Sequence, residues 1–151
     1  MDAYVVIGGP KSLKSSVIRC LTGCRICGPR EFKMVGGAVR NTYVQISSLQ
    51  EGRPGMTARQ FVSRVTRYKT AAVILTLRVR AHRAHPDADS YLAHFINVAG
   101  WRIAGVALLN ENTNTLLTPL PRGIVSVYTF TPSAPVVNQL AAQVRKKFRW
   151  I

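Results

Sequence analysis

The residues between positions 8 and 16 have the composition of an anion-binding loop. Gly8 and Gly9 follow an apolar segment at residues 3–7, and the six positions after Pro10 carry two lysines and three serines. Glycine lets the backbone approach a ligand closely, backbone N–H groups at the start of a helix favour negative charge, and lysine adds a full positive charge. The pattern therefore predicts a phosphate site made by Gly8, Gly9, Lys11, Ser12, Lys14, Ser15 and Ser16.

This segment resembles the loop of the P-loop NTPases. The pattern of that family is a glycine, four residues, a second glycine, a lysine, and a serine or threonine. Gly8, Lys14 and Ser15 are in register with it, whereas Leu13 stands where the second glycine belongs. The family places this loop between an apolar strand and a helix, which is the context predicted for residues 3–21.

The resemblance implies roles for the individual residues of the loop. Lys14 would contact the outer phosphates of ATP or GTP, Ser15 would contact Mg²⁺ or a phosphate, and the amides of residues 9–16 would bind the remaining oxygens. Residues 110–113 follow a predicted strand at a place where such folds often recognise the base. Residues 10–12, Pro-Lys-Ser, are also similar to the phosphosulfate-binding loop of sulfotransferases, so the identity of the anion stays open.

The resemblance to an NTPase does not extend to the acidic residue that hydrolysis needs. In that family an aspartate at the end of a later apolar strand holds Mg²⁺. Here the apolar run at residues 71–77 is followed by Arg78, and the next acids, Asp87 and Asp89, stand where a helix cap is expected. We therefore expect a protein that binds nucleotide with weak or no hydrolysis, and whether it is an enzyme stays undecided.

Three cysteines fall within eight residues of one another: Cys20, Cys24 and Cys27. Their Cys-x3-Cys-x2-Cys spacing resembles the iron–sulfur ligand pattern of the radical SAM enzymes, where three thiolates leave one iron open for the cofactor. A zinc site would need a fourth ligand from His82, His85 or His94, and no paired spacing favours one of them. Because Cys20 falls inside the helix that a phosphate loop requires, we expect no metal and keep an iron–sulfur or radical enzyme as an alternative.

The charge of the chain predicts an acidic partner. Lysine and arginine number 21 against 6 aspartates and glutamates, which gives a net charge of +15. A small domain with this charge attracts polyanions, of which nucleic acid is the commonest in a cell. The expected contacts to DNA or RNA are two dense basic runs: Arg78, Arg80 and Arg83, and Arg145, Lys146, Lys147 and Arg149.

No sequence signature of base-specific recognition accompanies this charge. Helix-turn-helix, zinc-finger and single-strand-binding patterns are all missing from the sequence, so we expect binding without sequence preference. Phe148 is expected in the core, while Trp150 is left open between packing and base stacking. An acidic protein is an alternative partner, and membrane binding by the C-terminal helix is the less expected one.

Predicted strands and helices alternate along the chain. Apolar or alternating runs predict strands at residues 3–7, 42–48, 71–77, 102–109 and 124–130. Helical periodicity predicts helices at residues 15–21, 57–68 and 92–99, and a last one from Ser133 onward. Because each parallel pair needs a covering crossover, we predict a single α/β domain over residues 1–151, with about five mainly parallel strands and helices on both faces.

Together these features predict a P-loop-like protein that binds nucleotide or phosphate and associates with nucleic acid, with ATP or GTP and Mg²⁺ as the expected cofactors. The alternative is a non-enzymatic nucleic-acid-binding or assembly module whose glycine-rich loop is a structural turn. No run of about 18 apolar residues and no signal-like N-terminus occurs in the sequence, and an odd number of cysteines is a poor disulfide framework. We therefore expect a cytoplasmic location.

Overall fold

The computed structural model describes residues 1–118, 120–121, 123–131 and 134–150. These residues form one six-stranded sheet with helices packed on both faces, which confirms the predicted α/β architecture. The elements in chain order are β1 (Asp2–Gly8), α1 (Lys14–Thr22), β2 (Gly28–Lys33), β3 (Val39–Val44), α2 (Ala58–Thr66), β4 (Ala72–Arg78), α3 (Ala88–Asn97), β5 (Arg102–Leu109), β6 (Val125–Tyr128) and α4 (Ala134–Phe148).

The strand order across the sheet is β2-β3-β4-β1-β5-β6. β3, β4, β1, β5 and β6 run parallel to one another, and β2 pairs antiparallel with β3. The predicted count of about five strands therefore missed β2. Its sequence, Gly-Pro-Arg-Glu-Phe-Lys, has a single large apolar residue, because an edge strand needs to bury only part of one face. That residue, Phe32, stacks on Trp150 with ring centroids 4.8 Å apart.

The predicted strand at residues 42–48 had the wrong bounds. β3 covers Val39–Val44, and the chain then continues beside β4 in an irregular conformation. Along this stretch Gln45 N donates to Ile74 O at 2.8 Å, and the Thr76 hydroxyl donates to Ile46 O at 3.1 Å. The irregular stretch matters because it carries residues 45–51 to the end of the sheet where the parallel strands terminate.

Two hydrophobic cores lie on opposite faces of the sheet. In β1, Ala3, Val5 and Ile7 face one core and Tyr4 and Val6 face the other, as the alternation of a strand requires. α2 and α3 cover the first face, and α1 and α4 cover the second. β1 is thus the central strand, buried on both sides, which explains its unbroken apolar sequence.

The ends of three helices follow from local sequence signals. α1 ends at Gly23, which has a φ of 67° and donates its N–H to Arg19 O. α2 begins after Thr57, whose hydroxyl accepts the N–H of Gln60 in a capping box. Asp87 caps α3 by accepting the N–H of Ser90 at 2.9 Å, as predicted. Tyr68 falls inside the helix predicted at residues 57–68 but lies beyond the end of α2 and is 46% exposed.

The C-terminal helix packs as its apolar spacing predicts. Leu140, Val144 and Phe148 are buried against the second face of the sheet, and Trp150 is buried after them. Ser133, the predicted start of this helix, lies outside the described residues. None of the helices in the described segments combines the length and the apolar character that crossing a membrane would require.

Candidate phosphate-binding site

The loop between β1 and α1 lies at the carboxyl end of the central strand. From β1 the chain builds one half of the sheet through β3 and β4, and it then crosses to the other side for β5 and β6. β1 therefore flanks the point where the strand order reverses. In open α/β sheets, ligands bind in the crevice at the carboxyl ends of the strands at such a point.

Leu13 adopts the left-handed backbone conformation just before α1. Its φ and ψ are 62° and 12°, in a region that costs a residue with a Cβ about 1–2 kcal/mol. Lys11, two residues earlier, also has a positive φ, of 58°. Leu13 occupies the position where the P-loop pattern has its second glycine, so the backbone here takes a glycine-like conformation in spite of the leucine side chain.

Gly8 allows the loop to fold back over the end of its own strand. A Cβ at this position would overlap the Ser12 side chain and would lie 3.0 Å from the backbone oxygen of Leu109 in β5. At Gly9, in contrast, the nearest atom to such a Cβ is Glu111 Oε1 at 3.4 Å. Of these two loop glycines, therefore, Gly8 is the one that the close approach of the backbone requires.

The backbone amides of the loop point to no acceptor of the protein. Within the described segments, the N–H groups of residues 11–16 make no hydrogen bond, and the first helical bond runs from Val17 N to Leu13 O at 2.8 Å. Residues 11–16, together with Glu51, line a concavity of about 250 Å³. Consecutive unpaired amides at the start of a helix form a binding surface for an anion.

Lys14 is buried beneath this concavity. Its side chain is part of a residue only 5% exposed, and its Nζ donates to Gly9 O at 2.7 Å. The Ser12 hydroxyl donates to the same oxygen at 2.8 Å, so Gly9 O keeps a partner if the ammonium moves. In the part of the chain that the structure describes, no carboxylate forms an ion pair with Lys14.

Burial lowers the pKa of Lys14, because a charged ammonium is less stable away from water. The negative charges of Glu51 and Glu111 oppose this effect, and the positive charge of Arg78 adds to it. The net direction is downward, so the two glutamates do not fully compensate the ammonium. A phosphate in the concavity would supply the missing negative charge.

Glu51 and Glu111 are the site residues that the sequence analysis missed. The sequence predicts a role in base recognition for residues 110–113, but it does not predict that the carboxylates of Glu111 and Glu51 lie near Lys14. The chain has only six acidic residues. In so basic a chain, each acidic residue is a candidate partner of a buried cation, and this scarcity is the signal in the sequence that points to Glu51 and Glu111.

The other acidic residues have structural partners or lie on an edge. Asp2 pairs with Arg40 and Arg102, and Glu31 lies exposed on the edge strand β2. Asp89, predicted to cap a helix, instead accepts the backbone N–H groups of Leu117 and Thr118 and so fixes the loop before β6. The role of Asp89 is therefore structural, as predicted, but the amides that it binds belong to a distant loop and not to the start of a helix.

Of the first predicted basic run, only Arg78 lies beside the loop. It pairs in register with Gly8 across β1 and β4, and its Nη1 lies 3.5 Å from Glu51 Oε1. Its backbone N–H is held by the buried side chain of Gln50 at 3.1 Å. Arg80 and Arg83 are exposed in the loop that follows.

The second predicted basic run divides in two. Arg145 donates to the carbonyl oxygens of Cys20 and Leu21 at 3.1 and 2.8 Å, so it caps the end of α1. Lys146, Lys147 and Arg149 are exposed. Trp150, left open by the sequence, is buried in the core and is therefore not placed to stack on a base.

The three cysteines have three different environments. Cys20 contacts Asn138 Oδ1 at 2.8 Å, Cys24 is buried in the core, and Cys27 accepts the N–H of Ile46 at 3.4 Å. Across residues 1–118, 120–121, 123–131 and 134–150, no three or more histidine, cysteine, aspartate or glutamate side chains are grouped to hold a metal.

No protein-family model, curated protein or solved structure matches this chain. The candidate site is therefore defined by its own geometry.

Proposed function

We propose that this chain is a nucleotide- or phosphate-binding protein of the P-loop type, in which the loop at residues 8–16 holds the phosphates. One observation carries the proposal: Lys14 is buried without a carboxylate ion pair in the described chain, and it lines the same concavity as six consecutive residues whose amides are unpaired. A buried charge is expensive unless it is paired. A bound phosphate would pair the ammonium and the amides at once.

Mg²⁺ fits the same concavity. Ser15 and Glu51 both line it, and hydroxyl and carboxylate oxygens are the ligands that Mg²⁺ prefers. In phosphate sites this ion takes only one or two protein ligands and completes its shell with water and phosphate oxygens. Ser15 and Glu51 would therefore hold Mg²⁺, which would neutralise part of the phosphate charge.

We propose that hydrolysis is weak or absent. β4 ends in Arg78, a cation, at the place where the NTPase pattern requires a Mg²⁺-binding aspartate. Glu51 is the carboxylate nearest to that place, and the ion pair with Arg78 offsets its charge. Among the described carboxylates beside the loop, Glu51 is thus held in an ion pair. Glu111, which follows β5, is the one that remains to activate a water molecule.

Thermal melting in the presence of ATP or GTP, each with and without Mg²⁺, tests the proposal. A ligand selective for the folded state raises the melting temperature, and a concentration 100 times its Kd adds about 2.7 kcal/mol of stability. We expect such a rise for the parent chain and for Lys33→Met, whose side chain is exposed on the edge strand β2 and does not line the concavity. Lys14→Met should lose the rise.

The stability of Lys14→Met without ligand supplies the control. Because the variant removes a buried ammonium and leaves Gly9 O bonded to Ser12, it should melt at or above the parent temperature. A folded Lys14→Met that is less stable than the parent, with no nucleotide effect in either protein, would instead support the alternative in which the loop is a structural turn.

We also propose that the protein associates with DNA or RNA through the amino end of the sheet. Four cations from three separate parts of the chain, Arg40, Arg102, Lys147 and Arg149, line one cavity of about 680 Å³ there. Asp2 is the acidic residue among its lining residues. An excess of positive charge on one surface favours binding of a polyanionic backbone. The salt dependence of DNA binding by variants of this surface tests the proposal.

A further inference from the structure

A second polar pocket lies near the phosphate loop but is separate from it. It has a volume of about 410 Å³ and is formed by the irregular stretch after β3, the turn at residues 52–56, and Gln60 and Arg64 of α2. The two sites meet along the chain, because Leu49 lines this pocket and Glu51 lines the concavity of Lys14. None of the lining residues is shared between them.

The floor of the pocket contains two buried polar atoms without partners. Gln45 is 8% exposed and Ser48 is 1% exposed, and within the described segments neither Gln45 Oε1 nor Ser48 Oγ has a hydrogen-bond partner. Almost all buried polar atoms in folded proteins are hydrogen-bonded, so each exception calls for an explanation. Gln45 Oε1 can only accept, so the O–H or N–H group of a ligand or of a water molecule would satisfy it.

The rim of the pocket is cationic. Arg53 and Arg64 line it, both are exposed, and neither forms an ion pair with a carboxylate of the described residues. A guanidinium group presents several N–H donors that match the geometry of a phosphate or carboxylate. The pocket thus combines anion-binding donors at its mouth with hydroxyl-binding atoms at its floor.

The wall of the pocket is held in place from outside. Met56 N donates to Leu49 O at 2.8 Å and closes the turn at its base, and the Tyr91 hydroxyl donates to Met56 O at 2.5 Å. A pocket that is already formed loses less conformational entropy when a ligand binds.

We infer that this pocket is a binding site for a small hydroxylated anion, whose phosphate or carboxylate group meets Arg53 and Arg64 and whose hydroxyl groups meet Gln45 and Ser48. The inference does not depend on the function proposed for the Lys14 loop.

NMR titration of the amide signals of the Lys14→Met chain tests this site without interference from the loop. Ribose 5-phosphate and gluconate are the probes, and ribose is the neutral control. We expect both anions to shift the signals of Ser48, Leu49 and Met56, with ribose binding at least about tenfold more weakly, since an ionic contact contributes about 1.4 kcal/mol or more. An anion that binds only as phosphate or only as carboxylate would identify the class of ligand.

Two variants and a matched control locate the contacts. Ser48→Ala removes an unpaired hydroxyl and Arg64→Gln an exposed charge, so both should fold, and each should weaken binding of the better probe about fivefold or more. Arg59→Gln, on the same helix but outside the pocket, should leave affinity unchanged. Absence of shifts at Ser48, Leu49 and Met56, or affinity that neither variant lowers, would overturn the inference. Failure of nucleotide binding in the parent chain would overturn only the function proposed for the loop.

Discussion

The two ends of the sheet differ in how a buried charged side chain is paired. At the amino end, the carboxylate of Asp2 accepts hydrogen bonds from both Arg40 and Arg102 and so joins β1 to β3 and β5. At the carboxyl end, the ammonium of Lys14 is more deeply buried but is held only by a backbone oxygen and a hydroxyl. The first charge is paired by the protein itself, whereas the second forms no ion pair with a carboxylate of the described residues.

This difference separates cations that serve the fold from cations that serve a ligand. A net charge of +15 predicts that the protein attracts anions, but it does not indicate which residues would bind them. Arg145 belongs to the densest basic run and yet caps α1, while Lys14 stands apart from the basic runs and lies in the proposed phosphate site. Burial and pairing, more than local charge density, distinguish the two roles.

The largest expected effect concerns the backbone at the carboxyl end. In Gly8→Ala the new Cβ would overlap Ser12 and press on the backbone of β5, so we expect a loss of about 2 kcal/mol in the free energy of unfolding. Gly9→Ala is the matched control, and it should stay within about 0.5 kcal/mol of the parent because its surroundings are open. Urea unfolding measures both. Equal stability of the two variants would show that the loop does not fold back as described.

The second prediction tests whether the amino end binds nucleic acid. Replacing Lys147 and Arg149 together with glutamine should lower affinity for a DNA duplex about tenfold at low salt, near 1.4 kcal/mol. It should also flatten the log–log salt dependence by about 0.9 for each phosphate that the variant no longer neutralises. Titrations at several salt concentrations supply the slopes.

The control for that experiment is the pair Arg59→Gln and Arg67→Gln, which removes the same charge from exposed positions on or next to α2. Equal decreases in affinity for the two double variants would mean that net charge alone, without a preferred surface, attracts the polymer. Absence of binding to duplex and single strand at low salt would remove nucleic acid as a partner.

The third prediction concerns the left-handed conformation of Leu13. Glycine adopts this conformation without strain, whereas alanine keeps the steric cost of a Cβ and also lacks the packing of the leucine. We expect Leu13→Gly to be more stable than Leu13→Ala by about 1 kcal/mol, in spite of the low helix propensity of glycine. Thermal unfolding of the two variants decides the order, and a more stable alanine variant would contradict a positive φ at this position.

The smallest expected effect concerns Asp2. The hydrogen bond from Arg102, followed by that from Arg40, holds the pKa of this carboxyl below its usual value of 3.8. A carboxyl with a lowered folded-state pKa stabilises the fold above its unfolded pKa, and this contribution is lost as the pH falls through the folded pKa. Asp2→Asn should therefore cost somewhat less than about 1 kcal/mol at neutral pH, because Arg102 is largely exposed.

Unfolding curves of the parent and Asp2→Asn across the acidic range test the sign. Their difference should shrink as the pH falls below 3.8, where the carboxyl of the parent becomes protonated. A difference that stays constant down to the lowest accessible pH would show that Asp2 contributes through packing and not through its charge.

Much of the fold was predictable because its signals are local. The apolar run of β4, the N-cap of α3 at Asp87 and the bounds of β5 all follow from residues that are adjacent in sequence. β2 was missed because its stability depends on pairing with β3 and on the contact between Phe32 and Trp150, which are 118 positions apart. A strand that depends on distant partners gives little signal of its own.

The candidate site likewise combines features that the local sequence predicts with features that depend on distant contacts. The loop itself was predicted from Gly8, Lys14 and Ser15, but the presence of Glu51 depends on the irregular path of the chain after β3. The left-handed φ of Leu13 was also beyond prediction, because leucine rarely adopts it and the surrounding structure imposes it. Arg78 lies beside the loop because β4 pairs with β1 in a register that places Arg78 opposite Gly8.

Titration of the backbone amide signals with Mg²⁺ and ATP is the most direct test of the claim that Lys14 and the loop amides bind phosphate. In the parent chain we predict that the largest chemical-shift changes fall on residues 11–17, and that Lys14→Met abolishes them while Lys33→Met preserves them. Changes confined to residues 145–150, or changes at the loop that Lys14→Met leaves intact, would contradict the account.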